Sequence, residues 1–468
     1  MSQWKGGYNF KIMQVNISGE IPPAQRSFRR ILWISMLVFV VVMGAGYLVS
    51  TFLLNTWLRS DAFRIFLNKK TSSFFHVDGQ YQPIQWNGFS FYTDGYQARG
   101  EVGSPFSELR TEQIRAEFYP QGIFHRAWQI NDLQIQRLKI RFGSLIPEWK
   151  GRVSSFPENA GSKESSWIPN RLDIRHAQIQ QVDLNWNFEG GVGGVQEMRV
   201  SLEPEGTALR ASAVGGVLVQ SGFPNLKVDH LKIRYQHPDL FVTDALLKLG
   251  DAGVINLSGQ IALDRGEALD LQSSFSGISI TQFLPEDWRA KLHGNVAGEA
   301  TVEGGGLDSM QVIGTLRLNN AQIEALPILD KIAAFTSTVQ FRRLTLHTVS
   351  ADFNWTKSKC RFSHLLIESQ GLIRVEGDGV VDRGNLNGNF MVGIAPTTLR
   401  WLPGSQEHVF TQERAGFVWT QVKVSGSLMD PQEDLSPRLM IAAKEQILHE
   451  VQGTVEKGVQ GVFNLLKP

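Results

Sequence analysis

Cysteine is almost absent: Cys360 is the one thiol in 468 residues. That excludes an intrachain disulfide framework and any multi-cysteine metal site. The fold must be held by burial and backbone pairing, and such thrift with thiols suits a bacterial periplasm or an extracellular face. An excess of one charge is also lacking. Forty-six Lys and Arg stand against 45 Asp and Glu, with 19% charged and 42% hydrophobic residues. This excludes a nucleic-acid binder carried by a basic field, and it excludes a disordered tail. Catalytic signatures are missing as well. The ten histidines include no His-Glu-x-x-His and no His-x-His pair, and the chain has neither a nucleophile-elbow Gly-x-Ser-x-Gly nor a phosphate loop. Gly304-Gly305-Gly306 lies between strand-like segments with no helix following, so it reads as a turn. Cys360 sits between Lys359 and Arg361 without a histidine arrangement that would make it a nucleophile, and His176 and His364 read as polar-face residues. The expectation is a chain with no enzyme activity, no cofactor and no metal.

What is present begins with residues 31–54, an unbroken uncharged run with Arg29 and Arg30 before it and Arg59 after it. As a helix it would measure about 36 Å, enough to cross a hydrocarbon core of about 30 Å with some tilt. The run is longer than a signal-peptide core and no small-residue cleavage pattern follows, so a retained transmembrane helix is expected. Lys5, Lys11, Arg26, Arg29 and Arg30 precede it against Glu20 alone. Residues 1–30 are therefore expected in the cytoplasm, with the bulk of the chain across the membrane.

Beyond the span, Trp57, Phe63, Phe66 and Leu67 recur at helical spacing through residues 55–75. After His76 the period becomes two. Examples are Leu138, Ile140 and Phe142; Val182, Leu184, Trp186 and Phe188; and Leu231, Ile233 and Tyr235. A phase slip or bulge is expected near His176 and Gln180-Gln181. Turn signals such as Gly215-Gly216 and Asp382-Arg383-Gly384 separate the runs. The reading is mainly β, largely antiparallel. It divides into a helix and β region over 55–145, an aperiodic Pro/Gly/Ser-rich loop or hinge over 146–170, a main β region over 171–436, and an amphipathic C-terminal helix over 437–468. Apart from a short helix over 324–337, little could cover the apolar side of so much sheet. That side must meet itself in a sandwich, close as a barrel, or line a long trough.

The order of segments resembles a known family. The membrane helix is followed by Gly79-Gln80-Tyr81-Gln82-Pro83-Ile84-Gln85-Trp86-Asn87-Gly88, then by Ile114 to Phe118, Ile130 to Ile135 and Leu138 to Phe142. Later come Gly314-Thr315-Leu316-Arg317-Leu318-Asn319-Asn320 and Val375-Glu376-Gly377-Asp378-Gly379-Val380-Val381-Asp382. This is similar to AsmA-like envelope proteins, which are related to TamB-like and chorein-type bridge proteins. The resemblance implies a long curved β-sheet, taco-like, with an apolar groove along its inside, in an inner-membrane protein whose bulk lies in the periplasm. It further implies phospholipid passage in outer-membrane biogenesis, with other envelope proteins as partners and no nucleic acid. Leu172, Ile174, Leu184, Trp186, Leu257, Ile261, Leu263, Leu316, Leu318, Ile373 and Val375 are the candidates for the groove. Filling a closed sandwich core is their other reading. A non-catalytic envelope scaffold acting through protein contacts is the alternative function. Some twenty strands at about 4.8 Å would give a trough of roughly 100 Å.

Overall fold

In the computed structural model of the chain, the described residues are 58–75, 77–100, 106–119, 127–143, 171–188, 191–263, 268–305, 309–324, 343–399, 404–428 and 430–451. To these are added Met36, residues 38–46, Val49, Phe52 and Thr56. Two compact units are present, residues 1–66 and 67–468. In the first, Met36, residues 38–46, Val49 and Phe52 are helical and exposed, Phe52 to 71%. Half of the expected span at 31–54 lies outside the described residues. Among the described residues no helix is long and apolar enough to cross a membrane. Helix α1 (Asp61–Phe75) begins with Asp61 in its first turn, where a carboxylate complements the helix dipole, and Arg64 pairs with it at 3.0 Å.

The second unit is built on strands. They are β1 (Val77–Tyr81), β2 (Ile84–Asn87), β3 (Ser90–Gly100), β4 (Phe106–Tyr119), β5 (Ala127–Gly143), β6 (Arg171–Ile174), β7 (Ala177–Phe188) and β8 (Gly191–Glu205). Next are β9 (Ala208–Val214), β10 (Val217–Gln220), β11 (Leu226–Gln236), β12 (Asp239–Leu249), β13 (Gly253–Ala262) and β14 (Ala268–Ser279). After the one-turn helix α2 (Glu286–Arg289) follow β15 (Leu292–Gly305), β16 (Gln311–Glu324), β17 (Arg343–Leu346), β18 (Thr348–Thr356), β19 (Lys359–Ser369), β20 (Ile373–Asp382) and β21 (Asn385–Ile394). Short helices α3 (Pro396–Leu399) and α4 (Ser405–His408) lead to β22 (Gln412–Arg414), β23 (Phe417–Ser427), β24 (Asp430–Glu433) and the terminal helix α5 (Leu435–Val451).

All twenty-four described strands join in one sheet. Five positions are each shared by two strands: β1 with β2, β6 with β7, β9 with β10, β17 with β18, and β22 with β24. Nineteen positions remain, and eighteen spacings of about 4.8 Å make the ladder about 86 Å long, shorter than the sequence suggested. The terminal positions do not pair with each other, so the described strands do not close into a barrel. They also form no second sheet.

One junction corrects the antiparallel expectation. Strand β5 runs parallel to both β6 and β7, with Ala127 opposite Arg171 and Leu133 opposite Ala177. Parallel neighbours need a crossover, because the chain must return along the preceding strand, here 17 residues or about 56 Å. The long segment between Gly143 and Arg171 is therefore a consequence of the register. The hinge expected at 146–170 lies outside the described residues, and β5 and β7 join the flanking regions in one sheet. The expected helix over 324–337 also lies outside them, save that Glu324 ends β16. The terminal helix starts at Leu435 rather than 437. The Glu433 carboxylate accepts the N–H groups of Leu435 and Ser436 at 2.6 and 2.9 Å, and Pro437 falls in the first turn, where no N–H is needed. Residues 452–468 are outside the described residues.

Candidate functional site

Because side chains alternate across a strand, register decides which residues share a face. One row crosses nearly the whole ladder. It starts with Thr93, Ile114, Ile135, Ile179, Val200 and Ala213. It continues through Leu231, Ala245, Leu257, Ser273, Ala300 and Gly314, then Phe353, Phe362, Gly379, Gly388 and Val424. Thr93 and Ser273 are its polar members. A second row on the same face joins Leu271, Val302, Val312, Trp355, Cys360, Val381 and Leu386. The opposite face carries the charges.

Strict alternation could not keep one face apolar over strands this long, and bulges re-phase it. In β4 the apolar set moves from Leu109 to Ile114 across Gln113, in β8 from Val195 to Met198 across Glu197, in β16 from Leu318 to Ala321 across Asn320, and in β19 from Phe362 to Leu365 across His364. Those four residues all have positive φ, between 50° and 59°, the left-handed region that non-glycine residues seldom occupy. Two are pinned alike: the N–H of Glu197 donates to Asp183 and that of His364 to Asp378, both at 3.0 Å. The slip expected at Gln180-Gln181 is present, as a shift between Ile179 and Val182.

Aromatic rings lie over glycines of the adjacent strand. Phe275 faces Gly298, Phe353 faces Gly314, Phe362 faces Gly379 and Trp419 faces Gly393. A Cβ on Gly379 would come within 2.3 Å of the Phe362 ring, so only glycine admits that contact. At the start of the sheet Trp86, Phe91, Phe118 and Trp128 form a cluster with ring centroids 5.3–6.4 Å apart.

Burial varies along the apolar face. Ile114, Ile179 and Ala245 are buried, and Leu318 joins a tight cluster with Ala321, Leu344 and Leu346. Over the last strands Leu399, Val409, Phe410 and Ala442, from α3 to α5, pack on Val418, Val392 and Ile394. Between these, Leu257, Leu271, Phe275, Val302, Leu316 and Phe353 are half-buried.

Of the candidates, Ile174, Leu184, Trp186, Leu257, Ile261, Leu316, Ile373 and Val375 share this face and are half-buried. Leu263 lies at its margin, 48% exposed, and Leu318 is sealed in the cluster at 8%. Leu172 pairs by backbone with Trp128, and its side chain is outside the described set. Sequence reasoning missed Phe275, Phe353, Trp355 and Phe362, although the alternation in Asp352-Phe353-Asn354-Trp355 was the signal. Cys360 also lies on this face, where burial raises its thiol pKa above the ordinary range. On the polar face His364 pairs with Asp352 at 2.8 Å, and that hydrogen bond raises the imidazole pKa. Among the described residues no group of three His, Cys, Asp or Glu side chains could hold a metal.

No family model, curated protein or solved structure matches this chain.

Proposed function

We propose that the chain is a membrane-anchored lipid-handling protein of the AsmA-like kind, which shelters acyl chains on the apolar face of its sheet in envelope biogenesis. One observation carries the reading: an apolar face continuous across the ladder, on which Leu257, Leu271, Phe275, Val302, Leu316 and Phe353 are left half-buried, with no second sheet among the described strands to cover them. A closed sandwich would seal those side chains, whereas an open groove leaves room for a mobile hydrocarbon. Each methylene kept from water is worth about 0.8 kcal/mol, so a lining with no headgroup chemistry suffices. The uncharged run at 31–54 supports an anchor, and the short basic segment before it favours a periplasmic sheet.

The test is photo-crosslinking of a diazirine-bearing phospholipid to the full chain in nanodiscs. The reading expects adducts in peptides containing Phe353, Trp355 and Phe362. Adducts confined to 31–54 would defeat the groove and favour a scaffold.

A further inference from the structure

The polar face of the sheet carries a depression of its own. Its volume is about 1120 Å³ and it crosses seven strands, β12 to β16, β18 and β19. Six strand spacings make it about 29 Å long. Its floor is the backbone beneath the row through Leu257, Ala300 and Phe353, whose side chains point to the other face. Its walls are two ridges in register. Asn256, Ser274, Glu299, Thr315 and Asp352 form one. Gln272, Thr301, Asn354 and Arg361 belong to the other, together with Ser258 and Ile313.

Seven of these eleven wall residues are amides or hydroxyls. Asn256 donates to Ser274 at 3.3 Å and Asp352 pairs with His364. The side chains of Gln272, Glu299, Thr301, Thr315, Asn354 and Arg361 make no hydrogen bond or ion pair with other described residues. The backbone of the floor is spent in the ladder, so an extended peptide would find no main-chain partners there, as it would at a sheet edge. The carboxylates of Asp244, Glu299 and Asp352 outnumber Arg361, the one Lys or Arg in the lining, so a polyanion is disfavoured. A linear uncharged chain bearing many hydroxyls fits both constraints.

We propose that this furrow binds a neutral oligosaccharide, laid across the strands and held by side-chain hydrogen bonds from both ridges. The site is separate from the apolar face, and the proposal stands whether or not that face carries lipid.

The experiment is calorimetric titration of the full chain in nanodiscs with cellohexaose, maltohexaose and chitohexaose. Saturable binding of at least one is expected, insensitive to salt. The double variant Gln272→Ala/Asn354→Ala removes an amide from each of two strands and should weaken binding about tenfold or more. Its unfolding midpoint should match that of the parent, since neither side chain has a partner to lose. Three results would overturn the proposal: no saturable binding of any of the three glycans, unchanged affinity in a folded double variant, or affinity that falls steeply with salt as a charge site would.

Discussion

Two leucines on one strand separate an open groove from a sealed core. Leu316 is half-buried and faces Gly298 and Ala351 across the ladder. Leu318, two residues on and on the same face, is 8% exposed within the cluster of Ala321, Leu344 and Leu346. A carboxylate at 316 keeps contact with water, so Leu316→Glu should cost about 1 kcal/mol, the partial burial of one leucine. The same change at 318 traps an unpaired charge and should cost about 3–5 kcal/mol, a large share of a total stability of about 5–15 kcal/mol. Lipid adds a second arm. An acyl chain lying over Leu316 would lose the cover of two or three methylenes, about 2 kcal/mol or about 30-fold in affinity. Urea unfolding midpoints and the phospholipid crosslinking yield are the measurements. Leu316→Glu should fold with little bound lipid, while Leu318→Glu should be severely destabilised. Equal losses of stability would show Leu316 to be core, and an unchanged lipid yield in folded Leu316→Glu would refute the groove.

Cys360, half-buried on the apolar face with its thiol pKa raised by burial, should alkylate slowly with maleimide, and more slowly still after phospholipid loading; acceleration on loading would contradict its placement in the groove. His230 is bonded to Asp229 and Asp244, each at 3.1 Å, and these contacts raise its pKa above 6.5. Its stabilising contribution is therefore complete below pH 6.5 and disappears as the pH rises through the folded-state value. His230→Gln should flatten that slope in unfolding midpoints measured across the range, and NMR titration of His230 at or below 6.5 would exclude the effect. Asp378→Ala removes the acceptor for the His364 N–H and should cost about 1–2 kcal/mol, whereas a midpoint within error of the parent would mean that the carboxylate does not hold the bulge.

The period-two runs made the strands legible, because half-exposed sheet writes its two faces into alternate residues. Leu257, Leu316 and Val375 were found that way, and the structure places all three on one face. Partners set by register were not legible. That Phe353 covers Gly314 depends on strands separated by β17 and its flanking segments, and nothing local to either residue encodes it. The parallel junction at β5 was hidden for the same reason: an aperiodic segment signals a long connection without saying whether the chain returns antiparallel or crosses over. Leu318 carries the same alternation as Leu316, and its sealing comes from β17, whose Leu344 and Leu346 complete the cluster.

A ladder of this kind gains its stability from neighbour to neighbour, since each strand touches little beyond the two beside it. Tight side-chain clusters therefore matter most where the ladder would otherwise fray. The aromatic group of Trp86, Phe91, Phe118 and Trp128 stands at its first positions, and the packing of Phe410 and Ala442 around Val418 stands at its last. The last strand, β24, also carries Pro431 beside Asp430, with Glu433 at its end, which blunts an edge that could otherwise recruit another strand. Between these ends, the described strands stand in a single sheet. Bulges at Gln113, Glu197, Asn320 and His364 keep their apolar residues on one side, so a half-buried stripe persists through the centre without loss of the fold.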